Sequence, residues 1–255
     1  MLQITQKLSD GDMLVHVVPN PVVGKGMVLV KNHYSLISAG TESNTVSAAR
    51  KSLTGKAREK PQQVKQVLDV VMQQGPVQAY RAVTKKLEAY SPLGYSSAGE
   101  VIGVGDIVTE FKTGDLVACA GVGYANHAEI IAAPVNLCVK LEKNADLKKA
   151  AYNTLGAIAM QSVRQADLRL GESCAVIGLG LLGQLTCLIL KASGVRVVGI
   201  DVNGAAVETA SVHCADLAIL RNSPGMEDRI ADFTSGLGVD AVIIAAATDS
   251  TDPIN

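Results

Sequence analysis

Three glycines and one aspartate carry the strongest chemical signal in the chain. Gly178, Gly180 and Gly183 stand in "GLGLLG", a G-x-G-x-x-G spacing between the apolar run "CAVI" and the helical stretch "LLGQLTCLILKA". Asp201 follows eighteen residues after Gly183, at the end of a second apolar run, "RVVGID". In a strand–turn–helix–strand unit the first glycine permits a tight turn and the second lets a pyrophosphate approach the backbone. The third lets helix and strand pack closely. The helix start, at Leu181 and Leu182, then offers N–H groups and the positive end of its dipole to phosphate. A carboxylate at Asp201 is placed to accept hydrogen bonds from adenosine ribose hydroxyls. It also repels a 2′-phosphate, and Val202 and Asn203 bring no cation to relieve that repulsion. The expected cofactor is therefore NAD, held by Gly178, Gly180, Leu181, Leu182, Gly183, Asp201 and Asn203.

Strand and helix must alternate to build such a unit, and after Lys143 the pattern does so. The stretch "DAVIIAAATDSTDPIN" reads as the fourth strand of a six-strand nucleotide sheet, stopping where the next helix should begin. The expectation is an incomplete nucleotide domain with an exposed sheet edge. Upstream the texture differs. "MLVHVVP" and "GMVLVKNHYSLIS" alternate apolar and polar residues as strands do. Residues 44–90 turn helical: Pro61 opens "PQQVKQVLDVVMQQ", whose Val64, Val67, Leu68 and Val71 make one apolar stripe. Gly75-Pro76 breaks it before a second amphipathic helix, and strands with glycine turns return from Gly94 to Leu141. The fold class expected is α/β, with a β-rich domain over residues 1–145, a helical insert over 44–90 and a nucleotide domain over 146–255.

Composition narrows the setting. A chain of 255 residues, 48% apolar and 18% charged, is long enough for two packed domains and unlike a disordered one. A net charge of −1 makes no case for nucleic acid. The first residues, "MLQITQKLSDGD", lack the apolar core of a signal peptide, and Gln184, Thr186 and the glycines interrupt the most apolar region. The five cysteines never form C-x-x-C and read as buried, reduced thiols. A cytoplasmic protein with no membrane partner is expected.

Beyond the glycine turn, "GMVLVKNHYSLISAGTE", "GYSSAGEVIGVGDIVTEFKTGDLV" and "NHAEIIAAP" complete a likeness. The chain resembles the medium-chain dehydrogenase/reductase family, the relatives of zinc-type alcohol dehydrogenases. The resemblance implies a GroES-like β-rich catalytic domain followed by a Rossmann doubly wound parallel sheet. It also implies an emptied metal site, since Ala39, Tyr95 and Ala157 stand where family members carry zinc ligands. Of the four-cysteine structural zinc lobe, only Cys119 and Cys138 lie in the region. Catalytic zinc needs about three converging N, S or O ligands. His16, His33, His127 and His213 stand singly and read as strand-face or surface histidines, with His127, just before "AEII", the one to watch. No metal is expected.

Tyr95 thus takes the place where the resemblance implies a metal-bound histidine, and Thr41 keeps the family's hydroxyl relay. Hydride transfer to a carbonyl without a metal still needs a group that stabilises the alkoxide and delivers a proton, and a phenol can do both. On that reading Tyr95 and Thr41 are catalytic and point into a cleft between the domains. On the other, Tyr95 fills the vacated volume and makes one hydrogen bond.

The insert is the second departure. Arg50, Lys51, Lys56, Arg58, Lys60, Lys65, Arg81, Lys85 and Lys86 face only two acids, Glu59 and Asp69. Such a cluster is either a solvated helical face or a lid that steers an acidic substrate, for instance a nucleotide sugar or uronate. With "SLISAGTES" and "PLGYSSAG" at its flanks, the insert is similar to one branch of the family. There a zincless dehydrogenase-like half is fused to a glucose–fructose oxidoreductase-like half, and the branch is associated with bacterial polysaccharide biosynthesis. The reading is a metal-free, NAD-dependent oxidoreductase interconverting an alcohol and a carbonyl, on a sugar or nucleotide sugar, with a homodimer or a further oxidoreductase domain as partner. Two alternatives stand: a nucleotide-binding regulatory or scaffolding module without turnover, and a quinone-oxidoreductase-like reductase, whose NADPH preference Asp201 opposes.

Overall fold

A computed structural model of the chain describes residues 1–50 and 61–248. The chain divides into two compact units, Met1–Asn153 and Thr154–Asn255.

In the first unit β1 (Leu2–Lys7), β2 (Met13–Val17) and β4 (Tyr90–Pro92) form an antiparallel sheet in the order β2-β1-β4. A second antiparallel sheet is built from β3 (Met27–Ser35), β5 (Ser96–Val104), β6 (Leu116–Ala120), β7 (Ile130–Pro134) and β8 (Cys138–Lys140). Its order is β7-β3-β5-β6-β8. Alternate residues of these strands turn inward, as a pleated half-buried sheet requires. Val28, Val30, Val101, Val117, Ile131 and Ala133 close the core around Phe111. The β3–β5 ladder shifts register at Leu29/Val30 and again at Asn32/Tyr34, the second shift lying just before the strand's last residue, Ser35.

Helix α1 (Ala39–Arg50) follows β3. It begins five residues before the helical pattern was expected to, because its start is capped rather than apolar. The first intrahelical bond runs from Glu42 N to Ser38 O, and the Glu42 carboxylate reaches back to Ser38 N at 3.0 Å. This is the reciprocal logic of a capping box, spaced one residue wider. Thr41 and Glu42 are thereby fixed in a helical turn. Helices α2 (Pro61–Gln74) and α3 (Pro76–Glu88) are separated at Gly75, whose φ of 86° stops the first. Val64 and Val71 of the expected stripe are half-buried, while the side chains of Val67 and Leu68 lie outside the described residues. Short helix α4 (Leu147–Ala150) is capped by Asp146, and Asn153 donates to the carbonyls of Ser97 and Cys119. Residues 146–153 therefore belong to the β-rich unit.

Helix α5 (Asn153–Gln165) starts on the last residue of the first unit, and the second unit then alternates β9 (Ser173–Ile177), α6 (Leu181–Ala192), β10 (Arg196–Asp201), α7 (Gly204–His213), β11 (Leu217–Leu220), α8 (Met226–Phe233) and β12 (Ala241–Ile244). All neighbouring strands are parallel, in the order β11-β10-β9-β12. Both faces are covered. Cys174, Val176 and Val197 pack with Cys187, Leu190 and Ala210, while Ala175, Val198, Ile200 and Ile219 pack with Met226, Ile230 and Phe233. Two buried faces explain why these strands read as unbroken apolar runs. Removing a side chain such as the fully buried Leu190 from water contributes about 1.5–3 kcal/mol. Because β12 pairs with β9 on the side away from β10, strand order reverses at β9, and doubly wound sheets bind ligands at that switch point. The last residues of "DAVIIAAATDSTDPIN", 249–255, lie outside the described residues. Among the described residues no helix is long and apolar enough to cross a membrane.

Candidate cofactor turn and proton-donor cluster

The glycine turn sits at the carboxyl end of β9. Gly178 has a φ of 96°, and a Cβ there would lie 2.6 Å from Ala246 N, just past the end of β12. A Cβ at Gly183 would collide with the Gly178 carbonyl oxygen. At Gly180, by contrast, nothing lies within 4 Å. The outer glycines are closed against backbone and the middle one faces open space, which is what close approach of a pyrophosphate requires. No side chain caps α6, and Gln184 N makes the bond to Gly180 O. The N–H groups of Leu181, Leu182 and Gly183 consequently have no acceptor within their own helix.

Asp201 closes the turn from the side. Its carboxylate accepts from Leu179 N at 2.5 Å and from Asn203 N at 2.8 Å. An ionised carboxylate has about four acceptor positions, so two are left for ribose hydroxyls. Asn203 has a structural task, its side-chain oxygen accepting from Ala205 N at 3.0 Å as the N-cap of α7. Sequence reasoning passed over Gln184, which donates to the carbonyls of Leu179 and Ala206 and accepts from the Cys214 thiol, tying the turn to α7. A lone amide in an apolar helix was the signal for it. Arg221 was also missed. Its backbone N donates to the backbone carbonyl of Asp201 at 2.8 Å across the strand ends.

In the first unit a polar cluster gathers from β3, α1, the bend at Gly94-Tyr95 and the segment before β7. The Tyr95 hydroxyl donates to Thr41 Oγ1 at 3.5 Å, and Ser38 Oγ donates to the same oxygen at 3.2 Å. Tyr95 is half-buried and Thr41 exposed. The two residues singled out as catalytic therefore lie side by side. His127 is not the strand-face or surface histidine expected from sequence. It is buried, its Nδ1 2.9 Å from Ser35 Oγ and its Nε2 3.2 Å from the Glu42 carboxylate. The sequence separates Glu42 from His127 by 85 positions, so no spacing rule could have paired them.

A catalytic zinc does not fit these residues. Ala39 and Ala157 have no ligand atom, and both nitrogens of His127 are engaged by Ser35 and Glu42. Among the described residues no group of three or more His, Cys, Asp or Glu side chains converges to hold a metal ion. The five cysteines are free thiols. Burial pushes the Cys174 thiol up to about 11 and raises Cys187 and Cys214 as well, which favours the neutral thiol at all three. Cys119 and Cys138, nineteen residues apart, prove to be register partners on β6 and β8 with sulfurs 3.7 Å apart.

Of the basic insert, Arg81 and Lys85 are one turn apart on α3, exposed, and border an open groove of about 530 Å³. Lys51, Lys56, Arg58, Glu59 and Lys60, with the side chain of Lys86, lie outside the described residues.

No protein-family model matches the chain. Among curated proteins, it is 31% identical over 153 residues to D-guloside 3-dehydrogenase of Escherichia coli K12, covering 59% of this chain and 43% of that one. It is 31% identical over 206 residues to an NAD-dependent alcohol dehydrogenase of Sulfurisphaera tokodaii, covering 69% and 59%. Identity to D-xylulose reductase A of Aspergillus oryzae is 27% over 192 residues, covering 62% and 53%. The chain thus spans about half the length of the curated relatives it matches. Among solved structures, Escherichia coli quinone oxidoreductase complexed with NADPH superposes with a TM-score of 0.74 at 16% identity, covering 99% of this chain and 68% of that one. An alcohol dehydrogenase superfamily protein from Novosphingobium aromaticivorans does so with a TM-score of 0.72 at 22% identity and the same coverage. The chain therefore has the α/β fold of the medium-chain dehydrogenases and reductases, a β-rich domain with a Rossmann-like parallel sheet.

Proposed function

We propose that the chain is the cofactor-holding and proton-donating part of a metal-independent, NAD-dependent oxidoreductase that interconverts an alcohol and a carbonyl. The observation that carries this reading is the open face of Gly180 between two closed glycines, at the head of an uncapped helix. The dehydrogenases and reductases among the relatives support it, and two of them are named for sugars, which supports a sugar substrate. Arg81 and Lys85 favour an acidic group on that sugar.

The division of labour follows from the side chains. The first turn of α6 holds the pyrophosphate through its N–H groups, and the two remaining acceptor positions of Asp201 orient the ribose. When bound, the dinucleotide supplies or accepts the hydride. Tyr95 gives its phenolic proton to the carbonyl oxygen in reduction and takes a proton from the alcohol in oxidation. The Thr41 and Ser38 hydroxyls, in series behind the phenol, restore its proton from water.

The test is turnover of NADH by chelator-dialysed protein on a panel of ketoses, uronates and nucleotide sugars. Turnover should survive the chelator. Tyr95→Phe should lower kcat by about 10²–10⁴ while leaving NADH affinity unchanged. Normal turnover by that variant would reduce Tyr95 to packing. NADH binding with no turnover on any substrate would favour the regulatory-module reading.

A further inference from the structure

His127 does more than fill space. One face of its imidazole lies flush against Gly94, where a Cβ would meet ring atoms Cγ and Nδ1 at 2.9 Å. Gly94 has a φ of 93° and directly precedes Tyr95. His127 N also donates to Leu93 O at 2.8 Å, locking the ring's backbone to the same bend. At its other end the imidazole meets both oxygens of Glu42, at 3.2 and 3.3 Å. Glu42 lies in the first turn of α1, next to Thr41, and its hold on Ser38 N fixes the start of that helix. Ser35, the last residue of β3, completes the arrangement through its 2.9 Å contact with Nδ1.

A single buried ring thus touches both segments that present the reacting hydroxyls. The Tyr95–Thr41 contact, at 3.5 Å, is at the long end for two hydroxyls, so its geometry depends on how those segments are held. We propose that the His127–Glu42 pair is a positioning clamp that sets the Thr41 hydroxyl against the Tyr95 phenol. Its consequence for turnover rests on the oxidoreductase reading; its consequence for the phenol's surroundings does not.

Two readouts test it separately. With tyrosines labelled at Cζ, the Tyr95 ¹³C resonance, assigned from its absence in Tyr95→Phe, should move in Glu42→Gln and in His127→Phe. The Tyr80 resonance, from α3, should stay. Glu42→Gln is nearly isosteric and still accepts from Ser38 N, so it decides the matter if His127→Phe fails to fold. In turnover, both variants should lower kcat by about 10–100-fold, with KM and NADH affinity unchanged. His127→Gln, whose amide can donate to Glu42, should recover most of the loss. Adding Tyr95→Phe to either variant should cost little more than Tyr95→Phe alone, because the clamp acts through the phenol. A Tyr95 resonance unmoved by both variants, or kcat losses that multiply, would overturn the clamp. If Tyr95→Phe alone turns over normally the oxidoreductase role of Tyr95 falls, and the resonance still decides the geometry.

Discussion

The second unit assembles its candidate site from one turn and the strand beside it, with Gly178 through Gly183 on consecutive positions and Asp201 one strand away. The first unit gathers its own from four separate segments, pairing Tyr95 with Thr41 and His127 with Ser35 and Glu42 through side-chain contacts. The glycine turn is made of backbone, so its integrity depends on what is missing from side chains. The polar cluster around Tyr95 is made of side chains, so its integrity depends on how distant backbone segments are held. The two should fail differently when broken.

The largest effect is expected at the closed glycines. Gly183→Ala sets a Cβ against the Gly178 carbonyl oxygen, backbone against backbone, where nothing gives way cheaply. Urea denaturation should show a loss of about 3 kcal/mol or more, even though alanine gains about 1 kcal/mol over glycine as a helix former. Gly180→Ala, at an open position whose φ of −65° suits any residue, should keep stability within about 0.5 kcal/mol and weaken NADH binding tenfold or more. Equal stability losses at the two sites would erase the distinction between closed and open glycines.

A smaller effect contrasts one aspartate from each unit. The Lys140 ammonium, 2.6 Å away, and Lys112 N hold the Asp115 carboxyl below its ordinary range. Asp240 is held low by Ser173 N and then by the Ser173 hydroxyl, at 2.7 and 2.9 Å. A carboxyl with a depressed folded-state pKa favours folding while ionised. That stability is present above about pH 4, the unfolded value, and is lost as pH falls through the lower folded one. Asp115→Asn and Asp240→Asn should each lower the melting temperature at pH 7 and flatten its decline between about pH 4 and 2. Raising salt should shrink the Asp115 contribution, whose chief partner is a cation, more than that of Asp240, whose chief partners are the neutral Ser173 groups and on which the Arg196 charge acts only weakly. Identical salt responses would show that the Lys140 charge is not what holds Asp115.

The same contrast explains what could be read from the chain. The apolar runs of β9 and β10, the glycine spacing and Pro61 at a helix start are local signals, set within a few residues by turn sterics and periodicity. Helix α1 starts ahead of the apolar pattern because capping by Ser38 and Glu42, not apolar spacing, determines where it begins. The pairing of Glu42 with His127 and the cross-strand meeting of Cys119 with Cys138 depend on register between strands, which composition does not encode. The backbones of Arg221 and Asp201 meet only because β11 lies beside β10. Thr41 and Tyr95 were named together only through a resemblance; their 54-residue separation carries no spacing signal of its own.

On the proposed function, the glycine turn and Asp201 select an adenine dinucleotide with a free 2′-hydroxyl. Titration of the unaltered chain and of Asp201→Ala with NADH and NADPH, followed by the cofactor's own fluorescence, tests it most directly. The unaltered chain should bind NADH at least about tenfold more tightly than NADPH, since a 2′-phosphate would meet the Asp201 carboxylate. Asp201→Ala should lose that preference, because it removes both the ribose acceptor and the charge that repels a 2′-phosphate. Tighter binding of NADPH by the unaltered chain, or no binding of either dinucleotide, would contradict the account.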